Sequence, residues 1–75
     1  LINVPVADKA KKEAVMAAQS IRDAVAEQEA ALAGSGRVLV RPSGTEALIR
    51  VMVEAATQDD AQKVAEHLAN VIKKY

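Results

Sequence analysis

Arg37-Val-Leu-Val-Arg-Pro-Ser-Gly-Thr-Glu-Ala-Leu-Ile-Arg-Val-Met-Val-Glu54 sets two alternating apolar runs around the short segment Arg41-Pro-Ser-Gly-Thr-Glu46. Alternation with a period of two marks a strand, so the stretch predicts two strands, roughly 37 to 41 and 47 to 55, joined by a loop. Val38, Val40, Ile49, Val51 and Val53 form the apolar face. Arg37, Leu39, Arg41, Leu48, Arg50, Met52 and Glu54 form the other, a mixed surface suited to solvent or to a domain contact. A turn that only reversed the chain could use two residues such as Asn-Gly, whereas this one is longer and rich in hydrogen-bond donors.

Outward from the hairpin, Ile2, Val4 and Val6 alternate with Leu1, Asn3 and Pro5, which predicts a strand over residues 1 to 6. Pro5 lacks a donor, so the strand lies at a sheet edge, ends there, or leaves that position facing away from its neighbour. Asp8 is a helix cap, and Ala10, Ala14, Ala17, Ala18, Ile21, Ala24, Val25 and Leu32 share one face of a helix running to about Leu32. So many small residues predict a close approach of helix to sheet. Gly34-Ser-Gly36 ends the helix with residues that tolerate positive φ. Thr57 caps a second helix, Asp59 and Asp60 sit at its positive end, and Ala61, Val64, Ala65, Leu68, Val71 and Ile72 make its buried stripe. The order β-α-β-β-α gives a two-layer α+β fold with both helices on one face of a small sheet.

A chain of 75 residues makes one small domain. Ten basic side chains balance ten acidic ones, so no net field draws it to nucleic acid or to an anionic membrane. No apolar stretch approaches the ~20 residues that span a bilayer. Without cysteine there is neither a disulfide nor a thiolate metal site, which suits a reducing compartment and makes the cytoplasm the expected location. The opening Leu-Ile-Asn-Val-Pro-Val reads as the middle of a strand, so the expectation is a piece of a longer protein.

Three of the four arginines, Arg37, Arg41 and Arg50, lie in the two-strand segment, while every lysine lies in or beside a helix. Lysines on helix faces read as solvating charges, whereas a guanidinium offers planar donors that match phosphate or carboxylate. Arg41, the hydroxyls of Ser43 and Thr45, and the backbone at Gly44 could together surround one phosphate. Pro-Ser-Gly-Thr is also ordinary turn chemistry, and arginines often decorate an open sheet face, so the pattern alone leaves both readings standing. Gly34-Ser-Gly36 lacks the ending of a nucleotide loop. His67 has no cysteine or second histidine to share a metal, and Asp59-Asp60 is explained by the helix dipole. No nucleophile-histidine set can be assembled, so the chain offers a binding loop and no catalytic residue.

Arg41-Pro-Ser-Gly-Thr-Glu46 with Leu48-Ile-Arg-Val-Met-Val-Glu54 closely resembles the C-terminal domain of the bacterial phosphoglucosamine mutases, in the α-D-phosphohexomutase superfamily. The likeness extends through Asn3-Val4, Glu27-Gln-Glu-Ala-Ala-Leu32 and Gly36-Arg-Val-Leu-Val40. Ala47 departs from it, since the family loop usually continues with proline. The resemblance implies a mainly antiparallel, TATA-binding-protein-like fold and a four-domain enzyme interconverting glucosamine 6-phosphate and glucosamine 1-phosphate for UDP-N-acetylglucosamine and cell-wall synthesis. This chain would be its fourth domain, binding substrate phosphate through Arg41, Ser43, Gly44 and Thr45. A phosphoserine, Mg²⁺ and sugar recognition would belong to the other domains, which are the expected partners along with the hexosamine phosphate, and the piece alone would be inactive. The alternatives are the same domain of a phosphomannomutase or phosphoglucomutase, and a freestanding interaction or RNA-binding module. The absence of aromatic stacking residues in the sheet weighs against the last.

Overall fold

The computed structural model describes residues 1–75. Val51 pairs with Ile2 on one side and with Val40 on the other, which places β3 (Leu48–Glu54) between β1 (Ile2–Pro5) and β2 (Arg37–Pro42) in one antiparallel sheet. β1 is therefore an edge strand, and Pro5 is its last residue, both positions that a proline tolerates. The α+β class is as expected, and α1 (Lys9–Ala17), α2 (Gln19–Ala31) and α3 (Gln58–Lys74) supply the second layer. α3 packs on β3 and β1, while α1 and α2 pack on β2.

The strand periods separate the two faces of the sheet as the alternation predicts. Val4, Val38, Ile49 and Val51 are buried beneath the helices, whereas Leu39, Arg41, Arg50 and Met52 are exposed on the open face. α3 follows its pattern too: Thr57 Oγ1 accepts from the Asp60 N–H at 3.1 Å, and Ala65, Leu68 and Ile72 are buried. Ala69, outside the expected stripe, is buried as well. A fully buried aliphatic side chain contributes about 1.5–3 kcal/mol, so this small set of valines, leucines and isoleucines holds the layers together without any aromatic side chain in the core.

The first helix differs from expectation in a way that matters for the site. It is broken at Ala18, whose ψ of 128 is extended, into α1 and α2. Val15 and Ile21 are both buried, yet in a continuous helix residues six apart point roughly 120° away from one another. One extended residue rephases the second helix so that both reach the core. Arg22 Nη2 donates to the carbonyl of Ala17 at 2.9 Å, satisfying an acceptor that the break leaves free. Ala18, Ile21, Ala24, Val25 and Leu32 face inward as predicted, but Ala10, Ala14 and Ala17 are exposed. Before the break the inward positions are Lys12 and Val15 instead, so close approach through an alanine stripe does not describe α1.

The helix stop also differs in detail. Ala33 enters the left-handed region first, at φ 51, followed by Gly34 at φ 79, while the Ser35 N–H donates to Leu32 O at 2.9 Å. Gly36 does not have positive φ. A side chain there would overlap the carbonyl oxygen of Glu54 on the neighbouring strand, so it is a close-approach glycine.

Candidate functional site

The β2–β3 connection projects at the end of the sheet beside α1. Ser43 N–H donates to Leu48 O at 2.9 Å, closing the loop at its base. The Ser43 hydroxyl oxygen then accepts from the N–H of Glu46 at 3.2 Å and, more weakly, from that of Thr45 at 3.4 Å. This serine is buried, and its oxygen occupies the point on which those two amides converge. The hydroxyl proton remains free to donate.

The Gly44 N–H has no acceptor within the chain, and Gly44 is not at positive φ. An added Cβ at Gly44 would meet nothing within 4 Å, so the glycine leaves open space over the turn. Thr45 is exposed, and its hydroxyl makes no hydrogen bond to the rest of the chain. Ser43, Gly44 and Thr45 thus lie in one ordered turn, in which the Gly44 amide and the exposed Thr45 hydroxyl have no partner in the chain.

Arg41 stands just before this turn on the open face, directly opposite Arg50, and Asn3 completes the row across β1. Side chains directly opposite in an antiparallel pair have Cβ atoms about 5 Å apart, and like charges there repel. Neither guanidinium is neutralised: the ion pair in this chain is Arg37 Nη2 to Glu54 Oε1 at 3.1 Å, at the far end of the sheet. Of the three arginines in the sheet, Arg37 is therefore paired, and Arg41 and Arg50 are without an ion-pair partner. Sequence reading named Arg41 for the site and left out Arg50. Its signal was the parity that places both on one face, but register with Arg41 had to be known.

Beneath the loop lies a group that sequence reading missed. Lys12 of α1 is buried at 9% exposure, and its ammonium donates to Ser43 O at 2.6 Å and to Glu46 O at 3.0 Å. The expectation that helix lysines only solvate the surface is wrong at this position. Its partners are 31 and 34 residues away in sequence, beyond any local pattern.

The loop lines none of the surface depressions of the molecule; the one on the open face is bounded by Leu1, Arg37, Leu39, Met52, Val53 and Glu54. The donors form an open rim. No group of three or more His, Asp or Glu side chains is placed to hold a metal ion; the Mg²⁺ that the resemblance implies is expected in other domains, outside this chain. No helix is long and apolar enough to cross a membrane.

The phosphoglucomutase/phosphomannomutase C-terminal domain pattern matches residues 1–71. The chain is 59% identical to the phosphoglucosamine mutase of a Nocardioides species over 76 residues, covering 99% of this chain and 16% of that protein. Likeness to the phosphoglucosamine mutase of Corynebacterium efficiens is 57% over 96% of this chain and 15% of that one. For that of Lysinibacillus sphaericus the figures are 52%, 97% and 16%. The chain thus spans about a sixth of the length of the curated relatives it matches.

Proposed function

Because this chain belongs to the phosphoglucomutase/phosphomannomutase C-terminal domain family, we propose that residues 1–75 form the phosphate-holding domain of a longer phosphoglucosamine mutase. That enzyme interconverts glucosamine 6-phosphate and glucosamine 1-phosphate in the cytoplasm, toward UDP-N-acetylglucosamine and peptidoglycan. The observation that carries the assignment is the un-neutralised Arg41–Arg50 pair beside a turn in which the Gly44 N–H and the exposed Thr45 hydroxyl have no partner in the chain. Two like charges held opposite each other cost stability unless something between them offsets the repulsion, and a phosphate dianion does so.

In this reading the Arg41 guanidinium, the Ser43 hydroxyl, the Gly44 N–H and the Thr45 hydroxyl donate to the phosphate oxygens, and Arg50 adds a second guanidinium. The group held is the phosphate that is not reacting. Fixing it aims the other end of the sugar at groups outside this chain, and positioning is where much of the catalysis of phosphoryl transfer lies. A clamp that reads phosphate without sugar detail also accepts either end of a bisphosphorylated sugar when the two phosphates exchange places. The rim is open, so closure by other domains of the longer enzyme completes the site and excludes water. Such a clamp would serve glucose or mannose phosphates equally, and it is the identity to phosphoglucosamine mutases that favours the amino sugar.

The test is an amide-shift titration of the chain with glucosamine 6-phosphate, inorganic phosphate and unphosphorylated glucosamine. Both phosphates should move resonances at residues 41–46 and 50, and glucosamine should move none. Shifts centred on the α3 cap, Thr57 to Asp60, would show an anion reading a helix end and would overturn the assignment. The chain alone should not turn over glucosamine 6-phosphate, since in this reading the phosphoryl-transferring serine belongs to another domain, and measurable turnover would contradict the division of labour.

A further inference from the structure

Lys12 is a buried cation whose hydrogen-bond partners are neutral carbonyls rather than a carboxylate. Burying a charge without a counter-charge is costly, and peptide dipoles offset only part of that cost. A lysine that served packing alone could be replaced by an apolar side chain at less expense, so the charge itself calls for an account. The two carbonyls it engages bracket the turn, one at Ser43 and one at Glu46.

Their orientation supplies the account. All peptide bonds are trans, and in a trans peptide the C=O and the following N–H point in opposite directions. With Ser43 O turned down onto the ammonium, the Gly44 N–H is turned away from it, toward the open side. Glu46 O and the Ala47 N–H are related in the same way. Neither amide has an acceptor in the chain. A cation at the carbonyl end of a peptide also draws electron density from its amide end, strengthening that N–H as a donor.

We propose that Lys12 is a positioning residue of the anion site: held under the loop, it aims the Gly44 N–H at the ligand, and its uncompensated charge is balanced by the anion above. The proposal rests on the loop being the phosphate site, and the experiment separates the two. Lys12→Met keeps an unbranched stem in the same space while removing the charge and both hydrogen bonds. Lys12→Arg keeps a charge and donors. Arg41→Ala removes a direct ligand and leaves the support beneath the loop.

Inorganic phosphate is titrated into each variant, and the Gly44 amide is followed by chemical shift and by relaxation in the free state. In Lys12→Met, phosphate affinity should fall ~tenfold, and the Gly44 amide should move and lose order before any phosphate is added. Lys12→Arg should recover most of both. Arg41→Ala should lose affinity while leaving Gly44 ordered. Wild-type affinity in Lys12→Met, with binding still at residues 41–46, overturns the role of Lys12 and leaves the loop assignment standing. If phosphate does not bind at 41–46 in the wild-type chain, the loop assignment itself fails and takes this role with it. If Lys12→Met loses its cooperative melt, the Nζ–H signal of wild-type Lys12 decides. Slower exchange with water on adding phosphate supports the coupling, and an unchanged signal overturns it.

Discussion

Removing Arg41 should separate stability from binding, because the same charge weakens one and creates the other. Arg41 and Arg50 are directly opposite on the open face with no carboxylate bonded to either. A like-charged cross-strand pair costs roughly 0.2–1 kcal/mol, so Arg41→Gln should leave the urea stability unchanged or raise it by that amount. Binding should move the other way. A hydrogen bond to a charged group is worth on the order of 1.5–3 kcal/mol, which converts to about a tenfold to a hundredfold loss of phosphate affinity. Arg41→Lys should restore the charge and the repulsion but only part of the affinity, because an ammonium lacks the planar fork. Urea unfolding gives the first quantity, and an amide-shift or calorimetric titration with phosphate gives the second, at one fixed low ionic strength since the repulsion is screened by salt. A loss of more than 1 kcal/mol of stability together with unchanged phosphate binding would rule out a ligand role for the pair. It would mean that the pair is a structural feature of the sheet rather than a ligand site.

Gly44→Ala should fold with stability equal to or slightly above that of the parent chain, because nothing stands within 4 Å of the added methyl, yet phosphate affinity should drop at least severalfold as the open space is filled. Equal affinity would mean that the ligand does not approach over Gly44. Gly36→Ala should cost about 1–3 kcal/mol in a urea melt, since its methyl would overlap the Glu54 carbonyl, and a cost below ~0.5 kcal/mol would contradict the close approach. Ala33→Gly should stabilise the chain by about 0.5–1 kcal/mol by relieving a left-handed alanine at φ 51, and destabilisation would show that this backbone is not strained.

The hairpin was legible because a sheet sorts side chains with a period of two. Val38, Ile49 and Val51 could then be assigned to the core, and Leu39, Arg50 and Met52 to the open face, without knowing any partner strand. α3 was legible for a similar reason: Thr57 marks its start, and its apolar residues keep one phase to Ile72. The break at Ala18 was not, because alanine is the best helix former and neither glycine nor proline marks the point. Only the need to bury both Val15 and Ile21 forces the backbone out of phase, and that need is tertiary. Arg41, Ser43, Gly44 and Thr45 could be named from residue chemistry, being adjacent in the chain and suited to one ligand. Part of the expected geometry did not follow, since the amides of Thr45 and Glu46 turn onto Ser43 Oγ rather than outward. Arg50 depended on strand register, and Lys12 on a contact across 31 residues. Long-range partners of this kind are set by how layers dock, which no local pattern encodes.

Whether the turn from Arg41 to Glu46 holds a phosphate can be read from a crystal structure of the chain with glucosamine 6-phosphate. Phosphate oxygens should lie within hydrogen-bonding distance of the Arg41 guanidinium, the Ser43 hydroxyl and the Gly44 N–H, with Lys12 still bound to the carbonyls of Ser43 and Glu46. A phosphate seated at the N-terminus of α3, or on Arg37 with its ion pair to Glu54 broken, would contradict that placement.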